Sequence, residues 1–158
     1  MRDTRRTSGR MVALALAALA AAAVALGACG GSRELSEQER AFVELVAPTT
    51  ENLLTALSEG DEAGYTRDME SRMKAASSGT AFAQVYESII GKIGKYVSAE
   101  ATRVSQQSGY QVVQYDARFE QEEHVTVRVV YDVSGEKPLV SGLWLDSPLG
   151  RGEFLAPA

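Results

Sequence analysis

The sequence predicts an α+β fold, three N-terminal helices packed on a four-stranded antiparallel sheet. Three observations predict it. Apolar residues recur at helical spacing from Phe42 to Ile93. From Tyr96 the period drops to two, with polar clusters between the alternating runs. The helical pattern ends before the strand pattern begins, which is the segregation of an α+β domain.

The first helix opens at Ser36-Glu37-Gln38-Glu39, a capping box in which a Ser hydroxyl and a Glu three residues on satisfy orphan backbone N–H groups. Phe42, Leu45, Val46, Leu53, Leu54 and Leu57 form its apolar face. Pro48 is expected to kink the helix or split it near Ala47, and Gly60 to end it. Asp61 caps a second helix whose stripe is Tyr65, Met69, Met73 and Ala76. Thr80 caps a third, with Phe82, Val85, Tyr86, Ile89, Ile90 and Ile93 on one face and Gly91 and Gly94 at its end.

Residues 96–107 read as a weaker first strand. Val113, Tyr115, Ala117 and Phe119 then alternate with polar residues, as do Val125, Val127, Val129, Tyr131 and Val133. Leu139, Leu143 and Leu145 mark the last strand, and residues 121–123 and 134–137 read as turns. By parity, Trp144 and Val140 point away from the helices, onto the face that carries Arg118 and Arg128. Aromatic residues and arginines are enriched in interfaces, so these four residues form a candidate contact surface. The milder alternative is Trp144 stacked on an arginine stem.

The first 28 residues are an address rather than part of the domain. Four arginines precede an uncharged apolar run over residues 11–28, the pattern of an export signal. Leu26-Gly27-Ala28-Cys29 resembles the lipobox of bacterial lipoproteins, with Cys29 the residue that takes the lipid; the alternative is a secretory signal with a chance cysteine. The expected organisation is a signal at 1–28, lipidated cysteine and tether at 29–34, one domain at 35–147 and a tail at 148–158. The expected location is the extracytoplasmic face of the cell envelope, attached to the membrane through the N-terminal lipid.

Charge and composition exclude several classes. The chain carries −5 overall and its first 28 residues +3, so the remainder carries −8 and has no basic stripe for nucleic acid. One cysteine excludes an internal disulfide and any multi-cysteine metal site. Met69 and Met73 are read as core rather than as soft metal ligands. His124 stands beside Glu122 and Glu123 at an expected turn, without the spacing of a calcium loop. No metal or other cofactor is expected. Tyr65, Asp68, Tyr115 and Tyr131 are the residues from which a pocket can be assembled, Asp68 as a carboxylate base one helical turn from Tyr65.

Residues 52–61, then Tyr65, Asp68, Met69, Met73, Lys74 and Ala75, then residues 93–96 and Ser141-Gly142-Leu143 resemble the small bacterial extracytoplasmic domains of domain-of-unknown-function family 3887. The resemblance spans about residues 50–146. It implies a nuclear transport factor 2-like, cystatin-like fold, with helices in the concave face of a curved sheet. Some relatives place this domain before an α/β-hydrolase; this sequence has no G-x-S-x-G elbow, and that activity is not carried over. The fold hosts isomerases and dehydratases as well as proteins that only bind, and fold alone does not choose. The expected role is a binding or accessory module for a protein, peptide or small apolar ligand, as a homodimer or with an envelope protein. The alternative is a small isomerase or lyase working in a pocket between helices and sheet.

Overall fold

The computed structural model describes residues 33–149. The expected export signal at 1–28, Cys29, most of the expected tether and the expected tail beyond residue 149 lie outside the described residues. Helix α1 (Glu37–Glu59) begins at the expected capping box: Ser36 Oγ accepts from Glu39 N, and Glu39 Oε2 accepts from Ser36 N at 2.8 Å. It ends at Gly60, whose φ of 74° is the left-handed conformation that glycine adopts without strain. Pro48 does not split this helix. Glu44, Ala47 and Pro48 all lie on its exposed side, so the carbonyl that loses its partner at Pro48 is on the face open to water. Leu45 is also on that side, 62% exposed, and leaves the expected apolar face.

The second helix is the main departure from expectation. It forms as two short pieces, α2 (Glu62–Thr66) and α3 (Ser71–Ala76). Between them Met69 makes a parallel bridge to Val140, with Glu70 N donating to Val140 O at 2.9 Å and Val140 N to Asp68 O at 2.8 Å. The backbone groups that a continuous helix would have satisfied internally instead occupy the free edge of the last strand. Tyr65, Met69 and Met73 are still buried together, but Ala76 is exposed. Asp61 caps α2 through Gly64 N as expected, and a Cβ at Gly64 would lie 2.4 Å from Asp61 Oδ2. The third helical stretch runs through α4 (Thr80–Val85), a π-helical turn (Tyr86–Ile90) and α5 (Gly91–Ile93).

Strands β1 (Tyr96–Gln107), β2 (Tyr110–Phe119), β3 (Glu122–Asp132) and β4 (Leu139–Asp146) form an antiparallel sheet in the order β1-β2-β3-β4. Ser108 and Gly109, with φ of 49° and 88°, make the two-residue turn between β1 and β2. The inner face of β2 and β3 carries the expected alternation, from Val113 to Phe119 and from Val125 to Tyr131, every one of them buried against the helices.

The parity of β4 is corrected at its start. Val130 pairs with Gly142 and Tyr131 with Val140, which leaves Ser141 as an extra residue. This bulge turns Val140 inward, fully buried in the core, while Leu139 is only half-buried. Val140 therefore belongs to the core and not to the outer surface. Beyond the bulge Leu143 and Leu145 point inward and Trp144 outward, as expected.

Candidate functional site

The four residues expected to line a pocket do not come together. Tyr65, Tyr115 and Tyr131 are 2%, 4% and 0% exposed and belong to the core. Thr50, on the buried side of α1, joins two of them: its Oγ1 is 2.9 Å from the Tyr115 hydroxyl and 2.6 Å from that of Tyr131. The Thr50 hydroxyl also donates to Val46 O at 3.1 Å. If both phenols donate to Thr50, each of the three protons is used once and every hydroxyl is satisfied. Phe42 closes the cluster with its edge against Tyr131, ring centres 5.9 Å apart.

Burial pushes all three tyrosines above the ordinary phenol range. Tyr115 is pulled partly back by its hydrogen bonds, and Tyr131 is pushed further by the neighbouring Tyr115. All three phenols are neutral at any physiological pH, and Tyr115 and Tyr131 are joined through Thr50. Sequence reasoning passed over Thr50. Its signal was positional, since it falls in the series Val46, Leu53, Leu54 and Leu57 on the apolar face of α1.

Asp68 lies at the surface in the turn between α2 and α3. Its carboxylate accepts from Arg67 Nε at 3.0 Å and is within 4.0 Å of Lys137 Nζ. Its backbone carbonyl holds β4, so its position serves that bridge. His124 is in β3 rather than in a turn, exposed, with Nδ1 3.0 Å from Asp116 Oδ2 across the strands. Among the described residues no group of three or more His, Cys, Asp or Glu is placed to hold a metal ion.

The outer face of the sheet has a different character. Strand register arranges it in rows. Arg103, Gln114, Arg128 and Trp144 form one row across the four strands, and Glu100, Asp116, Thr126 and Asp146 form the next. Trp144 is half-buried, and the Arg128 guanidinium carbon is 5.8 Å from its ring centre. The ring lies over Gly142, where a Cβ would come within 2.7 Å of it. Glycine is therefore what lets the indole lie down on the sheet. Arg118 is exposed on the same face, beyond the acidic row.

Residues 50–136 match the model of a family described as Protein of unknown function (DUF3887). No curated protein matches the chain.

Proposed function

Since the chain belongs to the family described as Protein of unknown function (DUF3887), a membership that assigns a domain and no chemistry, we propose that it is a lipid-anchored extracytoplasmic binding or accessory module. Its contact surface in this reading is the outer face of the sheet. The fold reading that goes with it is nuclear transport factor 2-like, supported by helices covering one face of a four-stranded antiparallel sheet. Anchorage rests on Leu26-Gly27-Ala28-Cys29 behind a basic, apolar signal.

The observation that carries the contact surface is Trp144. Tyr115 and Tyr131 are sealed in the core and use their hydroxyls on Thr50, whereas Trp144 remains half-buried on the open face beside Arg128. A second copy or another envelope protein fits such a mixed apolar and polar surface. The domain's charge of −8 disfavours nucleic acid.

Trp144 is the only tryptophan, so its emission reports on this face alone. In dilute solution it should be quenched by iodide, and with rising protein concentration or added envelope extract it should become shielded and shift to the blue. Emission shielded from iodide at every dilution, or open to it under all these conditions, overturns the contact surface. Anchorage is tested separately. Cys29→Ser should abolish incorporation of a clickable fatty acid and leave the precursor unprocessed, and undiminished labelling would remove the lipid.

A further inference from the structure

Among the described residues Arg103, Arg118 and Arg128 of the outer face make no ion pair, and two of them share a groove. Arg103 of β1 and Arg128 of β3 flank Gln114 of β2 in one row of the sheet. Together with Ser105, Gln107 and Val112 they line a groove of about 250 Å³. Among the described residues neither guanidinium makes an ion pair, and that of Arg128 lies over the face of Trp144.

The domain carries eight more acids than bases beyond residue 28. Carboxylates are close at hand, since Glu100, Asp116 and Asp146 occupy the neighbouring row, and Asp116 is turned toward His124. A larger cleft beside the start of α1, about 410 Å³, sets Arg33 and Arg40 among Glu34, Glu100 and Asp116, so its cations are balanced. The groove at Arg103 and Arg128 has no acid in its lining.

The chemistry of that lining is selective. Guanidinium groups present planar forks of donors that match carboxylate and phosphate oxygens. Ser105, Gln107 and Gln114 add a hydroxyl and two side-chain amides that can donate to the same oxygens. Val112, only 4% exposed on this face, gives the groove an apolar floor. Beside the groove, Trp144 is seated over Gly142 with the Arg128 guanidinium above its ring.

We infer that the groove between Arg103 and Arg128 binds an oxyanion, a carboxylate or phosphate group. The inference rests on the outer face being the contact surface and names the chemistry recognised there. The ligand is clamped between the two guanidiniums, with the Gln114 amide beneath it.

The test uses the full-length protein in nonionic detergent, titrated at constant ionic strength with succinate in one arm and inorganic phosphate in the other. Trp144 emission and calorimetry are read in parallel, so that a variant that alters the indole's surroundings is still measured. At least one anion should give saturable binding that chloride does not reproduce. Arg103→Gln and Arg128→Gln should each weaken it at least tenfold, with the unfolding midpoint unchanged. Lys74→Gln, exposed on α3 and outside the groove, should leave it unaltered. Saturation by succinate alone assigns a carboxylate ligand, and by phosphate alone a phosphate group. No saturable binding in either arm, or binding by both groove variants equal to wild type, overturns the site. If anion binding fails while Trp144 still becomes shielded on association, the groove is lost and the contact surface stands. The opposite pattern removes the contact surface and leaves the groove.

Discussion

Thr50 does more for the interior than its size suggests, because two phenols depend on one oxygen. Tyr131→Phe removes one donor and leaves the Thr50–Val46 and Thr50–Tyr115 bonds intact, so a loss of about 1 kcal/mol is expected. Thr50→Val strands two buried phenol hydroxyls and should cost about 2–4 kcal/mol, clearly more than the tyrosine change. Urea unfolding of both variants checks the order; equal losses would show that the hydroxyls are not sharing Thr50. The same burial sets a pH limit. Tyr65, Tyr115 and Tyr131 hold their protons above the ordinary phenol value of about 10, so in alkali the unfolded chain ionises first. Their contribution is complete below that value and is lost as pH rises past it, by at most about 1.4 kcal/mol per pH unit for each tyrosine. Stability measured from pH 9 to 11 should fall, and the fall should be shallower in Tyr131→Phe. The tyrosines were legible as candidates because aromatic residues on alternating strands stand out. Their role was not, since the partner that commits them lies 65 and 81 residues away on α1.

Elements announced by local chemistry were legible, and those set by a distant partner were not. Ser36, Glu39, Gly60 and Asp61 act within a few residues of themselves and stand where the sequence places them, whereas the cap expected at Thr80 falls one residue earlier, at Gly79, without a side-chain hydrogen bond. The two-residue period of β2 and β3 likewise gave the correct faces. The bridge at Met69 leaves no such trace, because the periodicity of Tyr65, Met69 and Met73 fits a helix as well as a broken one. Nor does the bulge at Ser141: one extra residue in β4 reverses Leu139 and Val140 with no change of composition. Its hydroxyl, buried without a hydrogen-bond partner, records that displacement. Past the bulge, Gly142 and Trp144 form a unit that can be tested. Gly142→Ala places a methyl 2.7 Å from the indole, and should lift the ring, shift its emission to the red and cost about 1–3 kcal/mol. Unchanged emission would mean that the ring does not lie over the glycine.

At the scale of the whole molecule, each strand pairs with its sequence neighbour, while α1 reaches across to β2 and β3 through Thr50, Tyr115 and Tyr131. The helices and the sheet therefore share one core, and a fragment beginning at Arg33 is expected to melt in a single cooperative transition. Distinct midpoints by near- and far-ultraviolet circular dichroism would contradict this. An open sheet has two borders, each a row of backbone donors and acceptors that another chain can copy. Bulges near Val97 and Thr102 interrupt β1, and at the opposite border the segment around Met69 lies along β4 and uses the Val140 amide and carbonyl. That segment acts as a stopper on this border in so far as it occupies the Val140 amide and carbonyl that another strand would pair with. Glu70→Pro deletes the N–H that donates to Val140 O and should loosen the stopper while leaving the packed sheet in place. The expected consequence is slow, concentration-dependent assembly into strand-paired oligomers, visible by light scattering and thioflavin fluorescence under conditions in which the parent chain stays clear.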